Sequence, residues 1–371
     1  MSGERTSALE ATLAAQGAQF VAWRGCRVAE HYGNVEAEVR AVRQGAGVID
    51  RTDRAFLTAS GPDAASYLHR MTSNEVSGLT PGQGRYALQL DTLGHIIADF
   101  HVLRMDDHVL LETDWLRRGP LREVLEKYIV ADDVEVADAS PADGGASEQL
   151  AELAVEGPQS GRLLKAAVSQ GVVPGAELNH AWVRFGETPV LVVRVSETGE
   201  EGYRLIFVTE YAQNVWEALS AQRRAVDWKP VGRAALNILR TEAGIPWYDA
   251  DIDERTLPPE AGLEQRALSY TKGCYLGQEV IERIRSRGHV NRKLTGLRLS
   301  LKGSALPPAG AKLLSDGKEV GHITTAVHSP TLGAAIALGY VRREHLEPGT
   351  QLGVEGGGTA EVAALPFYRA A

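Results

Sequence analysis

One of only two cysteines in this chain stands in Lys272-Gly273-Cys274-Tyr275-Leu276-Gly277-Gln278-Glu279, just ahead of a stretch with helical spacing. Glu279 and Arg283 are four apart and can pair on one helix face. A thiol near a helix N-terminus and beside basic residues is shifted toward the nucleophilic thiolate. From Arg283 to Arg298 there are six basic residues (283, 285, 287, 292, 293 and 298) and no acidic one, which suits an anionic small molecule. Gly273 and Gly277 permit tight turns and a close approach of backbone to a ligand. The same letters also fit a turn, a first-turn glutamate and a buried, inert cysteine, and physics alone leaves both readings open.

A second place for chemistry is residues 85–104, which read as a hairpin turning at Asp91-Thr92-Leu93-Gly94. Counting by two puts Ile97, Asp99, His101 and Leu103 on one face of the second strand. Asp99 is then expected between apolar neighbours, where a carboxylate needs a partner or a ligand. A third is the acidic loop Glu197-Thr198-Gly199-Glu200-Glu201-Gly202-Tyr203-Arg204. There Arg204 either offers donors to a ligand or pairs with one of the nearby glutamates.

The elements that must hold these residues show a duplication. Phe56 to Pro62 reads as a strand entering a turn, followed by the helix face Ala64, Ala65, Tyr67, Leu68 and Met71. Leu153 to Pro158, with Leu163, Leu164 and Ala167, repeats that pattern 96 residues later, and Val109-Leu110-Leu111 returns as Leu205-Ile206-Phe207 at the same offset. Each copy reads as strand, helix, two or more strands, helix, which is the split βαβ, ferredoxin-like order. The polar run from Ser140 to Gln149 makes the joint between copies, and after Arg292 short strands with turns predict a small β-barrel. The expected fold class is α+β: two ferredoxin-like subdomains around a central cavity plus a C-terminal barrel. The expected domains are 1–290, with subdomain 51–145 inserted between 1–50 and 146–290, and the barrel 291–371.

With 371 residues and 44% hydrophobic content, the chain can bury a substantial core. Its 39 basic and 48 acidic residues give a net charge of −9, which argues against a general nucleic-acid or anionic-membrane surface. Two distant cysteines form neither a disulfide framework nor a zinc knuckle, and cannot by themselves supply four thiolates to an iron–sulfur cluster. The ten histidines show no close metal-binding pair, so no metal site is expected. No P-loop or strand-linked GxGxxG is present. Ser7-x-x-Glu10 looks like a capping box with no apolar signal core before it, which leads to a cytoplasmic expectation.

Lys272 to Glu279 match the K-G-C-Y-x-G-Q-E signature of the YgfZ-type folate-binding family, a group related to the glycine-cleavage T-protein, an aminomethyltransferase. The chain also resembles that superfamily at Glu38 to Arg43, Gly47 to Asp50, Ser329 to Gly333 and Pro366 to Arg369. The resemblance implies a tetrahydrofolate cofactor, or a one-carbon derivative, in a central cavity. It implies Cys274 and Asp99 as the reactive residues and Tyr86, Asp99, Glu197, Tyr203, Arg204 and Lys272 as folate contacts. It further implies iron–sulfur enzymes or assembly proteins as partners, with an indirect effect on tRNA modification and no direct nucleic-acid or membrane contact. A folate-dependent aminomethyltransferase or demethylase is the alternative. Departures from the T-protein pattern are specific. Ala98 replaces the first of two adjacent acids, Arg204 stands where the T-protein has a glutamate and Glu197 where it has a tyrosine, and Leu236-Asn237 replace Arg-Asp.

Overall fold

The computed structural model describes residues 4–140, 149–303 and 305–370, so most of the expected joint at 140–149 lies outside the described residues. A three-stranded sheet opens the chain: β1 (Arg5–Thr6), β2 (Gln19–Trp23) and β3 (Cys26–His31), with α1 (Glu10–Ala15) between the first two. Helix α2 (Val35–Gln44) is capped by the side chain of Asn34, which accepts from the Ala37 amide, and leads into β4 (Ala46–Asp50).

The first repeat is β5 (Arg54–Ser60), α3 (Ala64–Met71), β6 (Gly84–Leu90), β7 (Ile96–Arg104), β8 (His108–Asp114), α4 (Arg118–Lys127) and β9 (Glu135–Asp138). Its antiparallel sheet runs β6-β7-β8-β5-β9, the ferredoxin-like order with β6 added at one edge. The second repeat is β10 (Leu150–Glu156), α5 (Ser160–Ala167), β11 (His180–Phe185), β12 (Thr188–Arg194), β13 (Gly202–Val208) and α6 (Ala212–Ser220). Its sheet runs β11-β12-β13-β10-β4-β14, where β14 is Trp228–Pro230. The place next to β10, filled by the repeat's own last strand in the first sheet, is here filled by β4 from ahead of the first repeat.

Gly61 and Gly157, 96 residues apart, explain why the duplication was visible. Both sit at the strand-to-helix turn with φ of +107° and +123°. A Cβ there would lie 2.3 Å from the Asp133 carbonyl oxygen, or 2.5 Å from those of Val42 and Gly45, so only glycine fits. Each sheet packs one face on its helices. Leu57, Phe100 and Leu111 meet Tyr67, Leu68 and Leu121, while Leu153, Val155 and Leu205 meet Leu163, Val215 and Trp216. Each such side chain taken from water contributes roughly 1.5–3 kcal/mol. The other faces meet through Phe56, Leu103, Leu110, Leu191, Val193 and Ile206.

Helices α7 (Arg233–Glu242), α8 (Glu264–Ala267) and α9 (Gln278–Arg287) lead to the barrel. Its strands are β15 (Arg292–Ser300), β16 (Lys312–Ser315), β17 (Lys318–Ser329), β18 (Ala334–Arg342), β19 (Gln351–Val354) and β20 (Thr359–Ala363), closed in the order β15-β18-β17-β16-β19-β20. The run from Thr324 to Val341 is thus two paired barrel strands. No helix among the described residues is long and apolar enough to cross a membrane.

Candidate functional site

Ionisable residues in the middle of apolar strands need an environment that tolerates charge, and following them leads to one cleft. Strands β6 and β7 supply Tyr86, Asp99 and His101; the β4–β5 connection supplies Arg51 and Asp53, and the start of β5 supplies Arg54; the loop after β12 supplies Glu197. Trp23 and Trp247 form an aromatic side, their ring centroids 5.6 Å apart and their planes inclined by 50°. Arg24 lies 4.3 Å over the Trp23 ring and donates to Asp114 at 3.0 Å. Four guanidinium groups (Arg24, Arg51, Arg54, Arg266) and four carboxylates (Asp53, Asp99, Asp114, Glu197) line the space.

The Tyr86 hydroxyl donates to Asp99 Oδ2 at 3.0 Å. The neighbours of Asp99 differ from the apolar ones expected: Tyr86, His101 and Arg266 share the cleft wall with it. Alternation along β7 nonetheless holds, because Ala98, Phe100 and Val102 point into the helix-side core.

Arg51 grips Asp53 with two bonds of 3.0 Å and donates to Glu197 Oε2 at 2.7 Å. Burial opposes ionisation of Glu197, but Arg51, Arg204 and Arg54 outweigh it and bring its carboxyl down to about 2. Glu197 therefore presents a fixed negative charge to the cleft. Arg204 takes the second of the two roles open to it. It is 2% exposed, donates to Glu156 at 2.8 Å and lies 3.4 Å from Glu197, behind the cleft wall. Tyr203 is also off the wall, in the helix-side core with its hydroxyl donating to Glu201.

Behind Arg204 lies Glu152, wholly buried on β10. Arg204 Nε is 3.2 Å from Glu152 Oε1 but out of line, and neither oxygen of Glu152 accepts a hydrogen bond from a described residue. Burial, then the charge on Glu112, push its carboxyl up to about 8, against the pull of Arg204, Arg51 and Arg54. The folded chain thus keeps a proton that an unfolded glutamate releases near pH ~4.3. Stability should fall as pH rises from that value through about 8. Glu152→Gln is expected to remove this loss, so the variant melts at higher temperature than wild type at about pH 9 and close to it at about pH 5. Equal alkaline destabilisation in the two proteins would contradict the assignment.

The Cys274 motif is not part of the cleft lining. Cys274 is exposed and Cys26 is the buried thiol, so the inert-core reading of Cys274 is excluded. Lys272, expected to contact a ligand, instead donates to the carbonyls of His69, Thr72 and Asn74, capping the end of α3. Gly277 does give a close approach, but to the protein itself. It has φ +82°, and a Cβ there would lie 2.5 Å from the Asp91 carbonyl oxygen at the tip of the β6–β7 hairpin. Gln278 accepts from the Tyr275 amide, the Tyr275 ring is buried, and Glu279 pairs with Arg283 at 3.2 Å. The basic run is largely matched by acids distant in sequence or within the helix: Arg292 with Glu260, Lys293 with Glu264, Arg285 with Glu282. Four of its six cations, Arg283 included, are thus paired with carboxylates. Among the described residues no group of three or more His, Cys, Asp or Glu is placed to hold a metal ion.

Residues that the sequence reading passed over make up most of the charged wall: Arg24, Arg51, Asp53, Arg54, Asp114 and Arg266. Behind them, Glu112 and Glu152 had a signal. Each is a carboxylate that directly follows an apolar run, Val109-Leu110-Leu111 for Glu112 and Leu150-Ala151 for Glu152.

Fold and cleft together define a class: a duplicated α+β protein with a C-terminal barrel and a charged, aromatic-walled cleft. The chain matches the GCVT N-terminal domain over residues 9–271 and the glycine cleavage T-protein C-terminal barrel domain over residues 292–369. It is 31% identical over 375 residues to the aminomethyltransferase of Streptomyces coelicolor, spanning 98% of each chain. It is likewise 31% identical over 358 residues to that of Thermotoga maritima, spanning 95% of this chain and 94% of the relative. The crystal structure of glycine cleavage system aminomethyltransferase T from Bartonella henselae superposes with a TM-score of 0.86 over 99% of both chains at 24% identity, a likeness of fold. This chain belongs to the glycine-cleavage T-protein family.

Proposed function

We propose that the protein is a folate-dependent one-carbon transferase of the aminomethyltransferase class, acting in the central cleft. The observation that carries this is the Tyr86–Asp99 pair on the cleft wall, with the ionised Glu197 on the same cleft. The donor set suits tetrahydrofolate. A carboxylate accepts from the amino and ring N–H groups of a pterin, which a guanidinium cannot do. Arg204 has left that role and Glu197, held ionised from behind by Arg51 and Arg204, takes it up. Trp23 and Trp247 form the aromatic side, with Arg24 over the first ring and Arg240 over the second. Asp99 would hold the reacting nitrogen and Tyr86 would hold Asp99. Bound tetrahydrofolate supplies the nucleophilic nitrogen that takes the one-carbon unit, and the walls keep the reacting atoms together.

Calorimetric titration with tetrahydrofolate and its 5-formyl form is expected to show micromolar binding, followed by turnover with an aminomethylated or methylated donor. Failure to bind either folate would overturn the proposal.

A second reading, a YgfZ-type accessory protein for iron–sulfur enzymes, is favoured by one observation: the motif cysteine, Cys274, is exposed, three residues ahead of the Gly277 that packs on the hairpin carrying Asp99. Cys274→Ala separates the two. A transferase keeps its turnover in this variant, whereas an accessory protein loses its effect on iron–sulfur enzyme activity in cells while still binding folate.

A further inference from the structure

We propose that His101, oriented by Glu112, is the proton acceptor of the cleft; this rests on the transferase reading above and adds a residue to it. His101 on β7 and Glu112 on β8 are direct cross-strand partners, so the pairing is built into the sheet register. His101 Nδ1 lies 2.5 Å from Glu112 Oε2, and the other oxygen of Glu112 accepts from Arg54 Nε.

A carboxylate held between a guanidinium and an imidazole can only accept, so Nδ1 carries the hydrogen and, in the neutral ring, Nε2 carries the lone pair. Burial opposes the charge on Glu112, but Arg54 and then His101 hold its carboxyl well below the usual range, which keeps it an acceptor. Nε2 makes no hydrogen bond to a described residue, and His101 lines the cleft.

The groups around the imidazole are consistent with this task. Tyr86 on β6 lies with its ring 5.5 Å from that of His101 and ties up one oxygen of Asp99. Arg54 on β5 faces Glu112, and Arg266 stacks on the far ring, 5.3 Å from Tyr86. Across the sheet interface Glu152 feels the charge of Glu112 and holds its own proton, so a second negative charge does not compete for the imidazole.

When the lone pair of a substrate amine forms a bond to the one-carbon carbon of an aminomethylated thiol, the C–S bond breaks and its electron pair leaves on the thiolate. The N–H bond of the amine then breaks, its electron pair stays on nitrogen as the lone pair, and the proton goes to His101 Nε2, where Glu112 stabilises the imidazolium until the proton passes to the departing thiolate. No redox partner is needed. Glu112 is a positioning residue in this scheme.

The test uses full-length wild type, His101→Asn and Glu112→Gln. First, ¹⁵N spectra of labelled histidines without any ligand should show His101 as the Nδ1–H tautomer in wild type, with that preference lost in Glu112→Gln. An Nε2–H tautomer in wild type would overturn the proposal whatever the folate result. Second, single-turnover transfer from an aminomethylated thiol to tetrahydrofolate should slow by roughly 10²–10⁴-fold in His101→Asn, with tetrahydrofolate affinity nearly kept. Glu112→Gln should slow it less and displace the acid limb of the pH–rate profile, an effect that a purely structural role would not produce. Unchanged rates in His101→Asn would also overturn it. Wild type with the Nδ1–H tautomer but no tetrahydrofolate binding would discard the folate reading and keep the dyad for another amine.

Discussion

Asp99→Asn is expected to weaken tetrahydrofolate binding roughly ten- to hundredfold and to slow transfer more than that, while leaving the fold intact. The physical case is that the substitution preserves shape and removes charge. Asparagine Oδ1 can still accept from the Tyr86 hydroxyl, so the 3.0 Å contact survives. What disappears is an anionic acceptor on the cleft wall, and hydrogen bonds to charged groups contribute about 1.5–3 kcal/mol. The effect on rate should exceed that on affinity if Asp99 acts where charge develops on the reacting nitrogen. Thermal unfolding should match wild type within a degree or so, because Asp99 lies on the cleft and not in either packed core. Equal affinity and equal rate in the variant would remove Asp99 from the site.

The second large effect concerns stability and the seam between barrel and repeats. Arg240 on α7 is 1% exposed, and its guanidinium bonds Asp251 on one side and Thr325 of β17, at 2.8 Å, on the other. Two further bonds go to Asn237 Oδ1, at 2.9 and 2.7 Å. Asp251 in turn accepts from Thr324 and Thr325 of the barrel and from the Trp247 amide. Arg240→Met would strand the Asp251 carboxylate without its cation, and breaking a buried pair from one side costs about 3–5 kcal/mol. Denaturant unfolding should show that loss, and Arg240→Met with Asp251→Asn together should recover much of it, because no unpaired charge remains. A loss below about 1 kcal/mol in the single variant would show that the pair does not hold the seam. The Trp247 amide also hangs on Asp251, so the single variant should loosen the aromatic side of the cleft as well.

Sequence periodicity was most informative where a residue's fate depends on its immediate neighbours. The 96-residue offset, the hairpin with its turn at 91–94 and the change to short strands after residue 292 all correspond to elements of the fold. Alternation put Asp99 and His101 on one face of β7, and both line the cleft. Reading failed where charge partners come from far along the chain. The run from 283 to 298 looked like a free basic patch because Glu260 and Glu264 lie outside it. Lys272 looked available to a ligand because the three carbonyls it caps are about two hundred residues earlier.

By itself, then, the sequence determined the relationship to the glycine-cleavage T-protein, though not the YgfZ-type subgroup, together with the duplicated α+β plan and the strand faces, since these follow from local spacing, turn glycines and motif letters. Only the tertiary structure decided which charges meet. It moved Arg204 behind the wall, left Glu197 facing the cleft, joined Arg54, His101 and Glu112 across three strands, and buried Glu152 with no hydrogen bond from a described residue. The reason is physical: a strand fixes the side to which a residue points, but the energy of a buried charge depends on the dielectric and counter-charges around it, and those are set by sheet register and by the packing of one repeat on the other.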